Sequence, residues 1–206
     1  MLLKLSKNIN KSIVFGLLPL FLVFATACNT DPQNQPDQEV EEDDLYEFKG
    51  FSLKEYGIPA TVMLPDETAN IGASTTPELI HAEDDFKWEL KVGQNFHMII
   101  DDWGDDRTMV KSEKERLAGL NFYKITYLEE SDDFIVYERI LKVDGEKAAP
   151  KTVGLLEHKS YHVYGQKVID GITYVFRSRD EGYVKKIIEL MGKSIRSVKE
   201  LKDENV

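Results

Sequence analysis

The apolar positions divide the chain into an opening apolar block, a polar stretch and a long region of short periodic segments. Ile13 to Phe24 is almost wholly apolar, broken only by Gly16 and Pro19. Lys4, Lys7 and Lys11 precede or enter it, no acid comes before Cys28, and the small residues Ala25-Thr26-Ala27 follow. A basic start, a short apolar core and a small-residue cleavage site form an export signal. The core falls short of the roughly 20 apolar residues that a membrane span needs. Asn29 to Asp44 then carries Pro32, Pro36, three Gln and the acidic run Glu39 to Asp44, broken only by Val40. With no apolar period it can bury no face, so it reads as a disordered tether spanning roughly 20 Å.

Periodic segments begin near Tyr46. Thr61-Val62-Met63-Leu64 is a strand-like run stopped by Pro65, and residues 66 to 78 read as a loop. Phe86 to Val92 and Phe96 to Ile100 flank Gly93-Gln94-Asn95 as a hairpin. Met109, Val110, Glu113 and Leu117 follow at helical spacing up to Gly119, with Ser112 and Glu115 placed as a capping box. Asn121 to Leu128 alternates Tyr123, Ile125 and Tyr127 on one side. Phe134 to Val143 alternates Ile135, Tyr137, Leu141 and Val143. Ser160 to Ile169 and Ile172 to Ser178 flank Asp170-Gly171, a type I′ turn signal. The final apolar stripe, Val184, Ile187, Ile188, Met191, Ile195 and Val198, predicts a helix from about Glu181 to Glu200, capped by Asp180.

Adjacent hairpins imply an antiparallel sheet, and the striped helix must bury its face against it. The expectation is an α+β domain over residues 45–206. It would have an antiparallel sheet of about six strands packed against helices, and a long C-terminal amphipathic helix. Residues 1–27 would form the export signal, and 28–44 Cys28 and the tether.

Charge and cysteine count sharpen this picture. All 37 Asp and Glu follow Cys28, whereas three of the 26 Lys and Arg precede it, which leaves a formal charge of −14 after cleavage. So acidic a chain is unsuited to nucleic acid or anionic lipid heads. Cys28 is the only cysteine, so no intrachain disulfide exists and the core must hold the domain.

The segment Ala25-Thr26-Ala27-Cys28 resembles the lipobox of bacterial lipoproteins, although Ala25 stands where Leu or Val is usual. The resemblance implies cleavage before Cys28 and attachment of diacylglyceryl and acyl chains to it. The protein is then held in the cell envelope by its lipid. Asn29, in place of an Asp that would favour inner-membrane retention, points to the outer membrane. The later chain resembles the PsbP-like fold. The carriers are Ala60-Thr61-Val62-Met63-Leu64-Pro65, the hairpins at Asp132-Asp133 and Asp170-Gly171, and the tail from Val184 to Val198. That family implies an accessory or binding subunit without a shared catalytic site.

Candidate chemistry is sparse. Asp101, Asp102, Asp105 and Asp106 crowd one turn and could offer oxygen ligands to calcium, without an EF-hand pattern. Trp103 at its tip suits a partner contact. His158 and His162 lie four apart, but on a strand rather than a zinc-binding helix. Gly192-Lys193-Ser194 lacks the first glycine of a phosphate loop, since Ile187 stands there. Tyr123, Tyr127, Tyr137, Tyr161, Tyr164 and Tyr174 could line a groove on the sheet. No cofactor is expected. The sequence thus points to a lipid-anchored binding or accessory protein with a protein partner in the envelope. The alternatives are an envelope hydrolase of unrecognised type, or an acidic inhibitor or immunity-type lipoprotein.

Overall fold

The computed structural model describes residues 47–72, 76–81, 85–143, 147–148 and 158–202. Residues 1–46, with the expected export signal, Cys28 and the expected tether, lie outside the described residues. In chain order the elements are β1 (Phe48–Ser52), β2 (Ala60–Pro65), β3 (Pro77–His81), β4 (Lys87–Val92), β5 (Phe96–Asp102), α1 (Met109–Ala118), β6 (Tyr123–Glu130), β7 (Phe134–Val143), β8 (Lys147–Ala148), β9 (Lys159–Ile169), β10 (Ile172–Ser178), α2 (Lys185–Arg196) and β11 (Lys199–Glu200).

The larger sheet runs β3-β4-β5-β10-β9-β7-β6, with β8 beside β7; the smaller runs β1-β2-β11. Every pairing in both is antiparallel. The domain is α+β, as the alternating segments predict, but its sheet exceeds six strands. Four strands, β1, β3, β8 and β11, escape the sequence pattern, three of them for a common reason. β1 buries only Phe48, β3 buries only Leu79, and β11 is two exposed residues. Alternation cannot declare itself in so little apolar burial. β3 is also an edge strand, in which Ile80 stays exposed.

Alternation splits the side chains of the larger sheet between two faces. In β7, Phe134 and Val136 enter the main core while Ile135 and Tyr137 enter a second cluster. In β9 and β10, Val163 and Phe176 go to the main core, and Tyr164 and Val175 to the second. The main core is completed by α2 and the smaller sheet. Ile187, Ile188, Leu190, Met191 and Ile195 meet Ala60, Val62 and Leu64 there. Burying each such large side chain stabilises the domain by about 1.5–3 kcal/mol. The second face carries α1, through Met109, Val110 and Leu117.

The C-terminal helix is shorter than its stripe predicts, twelve residues rather than about twenty. Gly182 has φ +74°, and Tyr183 pairs with Tyr161 in an isolated bridge, so residues 181–184 are not helical. The N-cap is Val184 with no side-chain cap, so Asp180 is not the capping residue. At the other end Ser197 takes over: its hydroxyl donates to the Ser194 carbonyl (2.7 Å) and accepts from the Met63 amide (2.9 Å). The chain then turns into β11. Nor is Ser112 a cap, because α1 already begins at Met109. Asp106 shapes that entry, accepting from the Thr108 amide (2.8 Å) and hydroxyl (2.7 Å).

The Asp170-Gly171 hairpin stands as predicted. Ile169 and Ile172 pair directly, and the two turn residues have φ of 49° and 77°. A Cβ at Gly171 would meet no atom within 4 Å. Gly171→Ala should therefore cost only the left-handed backbone penalty, about 1 kcal/mol. Urea denaturation would read it as a lower midpoint with unchanged slope.

Candidate functional site

The α1 face of the larger sheet carries polar residues in register with its apolar ones. Counting by twos from Ile135 gives Tyr137 and Arg139 on β7; from Val175 on β10 it gives Arg177. His162 and Tyr164 share that face on β9, as do Ile99 and Asp101 on β5. Beside α1 the polar and aromatic members of this face, Asp101, Tyr137, Arg139, His162, Tyr164 and Arg177, line a cleft of about 480 Å³. Glu113 and Arg116 of α1 form one wall, residues 178–180 another, and Trp103 lies in the lining, half exposed.

Four guanidinium groups reach this cleft: Arg116, Arg139, Arg177 and Arg179. Arg116 grips buried Glu113 with two bonds of 2.7 Å. Tyr137 adds a hydroxyl donation to the same carboxylate at 3.3 Å. Arg177 donates from Nε to Asp101 (2.7 Å) and from Nη1 to the Asp180 carboxylate (3.3 Å). Arg179 turns to Glu181 (3.1 Å). Arg139 differs. Its Nη2 donates to the Asp180 backbone carbonyl (2.6 Å), its guanidinium lies 4.8 Å from the centre of the Tyr123 ring, and its Nε is buried without an acceptor.

His162 is buried in the cleft wall, stacked on Tyr137 with ring centres 4.9 Å apart. Burial, reinforced by the nearby Arg139 and Arg116 charges, lowers its pKa to about 3, against smaller upward pulls from Asp180 and the Arg179 backbone. The ring is therefore neutral at neutral pH. Burial, and next the Glu113 charge, push the Tyr137 and Tyr164 hydroxyls up, so both remain protonated donors.

Ser160 Oγ lies 2.9 Å from His162 Nε2. That contact resembles a nucleophile and its base, but the chemistry is poor. A base needs a pKa near the working pH, and this one lies near 3. The serine is itself buried, and it borders a neighbouring hollow rather than this cleft.

The acidic turn is divided among local tasks. Asp101 holds Arg177, Asp102 accepts from the Gly104 amide (2.8 Å), Asp106 shapes the entry to α1, and Asp105 is exposed. Among the described residues, no group of three or more His, Cys, Asp or Glu is placed to hold a metal ion. Trp103 does border the cleft, whereas His158 is exposed outside it and His162 lies within. Of the tyrosines, Tyr137 and Tyr164 line the cleft. Tyr127 contacts Tyr137 edge-on at 6.4 Å, and Tyr174 and Tyr161 belong to the opposite face. Gly192 and Ser194 are buried within α2.

The arginines escaped the sequence reading. Their signal was present as Tyr137-x-Arg139 and Val175-x-Arg177-x-Arg179, cations repeating at strand spacing in an acid-rich chain. No protein-family model, curated protein or solved structure matches the chain. No helix among the described residues is long and apolar enough to cross a membrane.

Proposed function

We propose that this chain is an exported lipoprotein, anchored to the envelope through lipid on Cys28, whose domain binds a ligand or partner in the arginine-lined cleft without transforming it. The address rests on the basic start, the apolar core and the lipobox-like Ala25 to Cys28. The PsbP-like resemblance adds the expectation of an accessory subunit, and Asn29 that of the outer membrane. The observation that carries the binding half is the convergence of Arg116, Arg139 and Arg177 with Trp103 around one cavity.

Binding is favoured over turnover because the cleft carboxylates Glu113 and Asp101 are each held by an arginine, and its histidine is too weak a base near neutrality. A second reading, an envelope hydrolase, draws on the Ser160–His162 contact. It requires ester hydrolysis that disappears in Ser160→Ala.

The anchor is tested in bacteria expressing the full chain with an alkyne-bearing palmitate analogue. The expected result is label and membrane association in the unaltered chain, both lost in Cys28→Ala. Label that persists in the variant would remove the lipoprotein reading.

A further inference from the structure

Arg139 is the cation of the cleft with no acid of its own. Glu113 takes Arg116, Asp101 and Asp180 take Arg177, and Glu181 takes Arg179. Among the described residues, no carboxylate pairs with Arg139. This is unexpected in a chain with 37 acids and 26 Lys and Arg, where acids are the abundant partner. A guanidinium carries five N–H donors. Arg139 commits one to the Asp180 carbonyl and keeps Nε buried with no acceptor.

We propose that the cleft receives a small organic oxyanion, a carboxylate or phosphate monoester, whose head is bound by Arg139 with Arg116 and Arg177 and whose body lies against Trp103. This rests on the reading of the cleft as a binding site and names its ligand class.

Three observations support it. The three guanidinium groups are already oriented: Arg116 by Glu113, Arg177 by Asp101, Arg139 by the Tyr123 face and the Asp180 carbonyl. Pre-ordered forks bind oxyanions without first losing side-chain freedom. Arg139 and Arg116 also disfavour a proton on neighbouring His162, and the same field attracts an anion. Finally, about 480 Å³ suits a small molecule, and half-exposed Trp103 offers an apolar surface in the same lining as the guanidinium groups.

The test uses the full chain in detergent and the fluorescence of its two tryptophans. Trp88 is buried, so the cleft signal comes from Trp103. The probes are benzoate, phenyl phosphate and neutral phenol. Saturable change with benzoate or phenyl phosphate, about tenfold weaker in Arg139→Gln and weakened by added salt, is the expected result. Arg179→Gln should change it by only about twofold, because that group is turned to Glu181 at the rim. The effective anion should also raise the melting temperature of the unaltered chain, a readout that needs no variant to fold. No saturable response to either anion, or equal affinity in Arg139→Gln, would overturn the proposal. Phenol binding as tightly as the anions would also overturn it while leaving the cleft a binding site. Partner capture by cross-linking tests that broader reading separately.

Discussion

Gly182→Val should destabilise the domain by roughly 3–5 kcal/mol, because left-handed backbone strain and overpacking act together. Gly182 has φ +74°. A Cβ there would sit 2.6 Å from both Cε1 and Nε2 of His162, and 2.8 Å from the Ser160 Cβ. Neither neighbour can yield easily. The imidazole is sandwiched against Tyr137, and its Nε2 is already engaged by Ser160. Gly57 gives the comparison: its φ is +87°, but a Cβ would meet nothing within 4 Å. Gly57→Val should therefore show the backbone cost alone, about 1–2 kcal/mol. Urea midpoints of the two variants would separate strain from contact. Equal losses at both positions would refute the packing argument. Because His162 forms a wall of the cleft, Gly182→Val should also weaken anion binding wherever the variant still folds.

Lowering the pH should cost the folded state about 2 kcal/mol between about pH 7 and about pH 5 through His162 alone. Its pKa falls from 6.5 to about 3 on folding. Between those values the unfolded chain binds the proton and the folded chain does not. The stabilisation is thus full above the unfolded value and drains away as pH falls towards 3. His162→Asn should flatten this slope, read as urea midpoints at the two pH values. His97, also lowered by burial but opposed by Glu89, leaves a residual slope of the same sign. Carboxylates such as Asp66, Glu67 and Asp106 are held below their ordinary values and titrate at lower pH still. A variant slope identical to that of the unaltered protein would show that His162 does not carry the effect.

The sequence made some of this architecture readable and hid the rest for physical reasons. The β9–β10 hairpin was legible because Asp170-Gly171 is local turn chemistry. The helical face Met109, Val110, Glu113 and Leu117 was legible because its period is set by what it buries. β11 was not, since its pairing with Ala60 and Thr61 depends on residues far away in the chain. The end of α2 was hidden for the same reason: Ser197 is drawn to the Met63 amide, a partner that no local pattern announces. In the cleft, the tyrosines stand out in the sequence as a class, and alternation places Tyr137 on the right face. The arginines do not, because each is ordinary in its own segment. They become a site only when α1, β7, β10 and the turn after β10 are brought together. The acidic turn drew attention by density, yet most of its carboxylates serve local or pairwise tasks.

The pairing of Lys199 with Thr61 and of Glu200 with Ala60 also sets an order of assembly. A chain delivered from its N-terminus can zip β4 to β5, β6 to β7 and β9 to β10 soon after each pair emerges, since those contacts are local. Yet the core face of that nascent sheet, with Phe96, Ile100, Phe134 and Phe176, stays bare until α2 arrives to cover it. β2 waits longer still, with one edge unpaired until β11 arrives. Such a half-made domain exposes both an open strand edge and a greasy surface, the two features that recruit other unfinished chains. A ribosome that paused before residue 185 would hold this protein in its most vulnerable form, so holding chaperones should engage it most strongly at that stage.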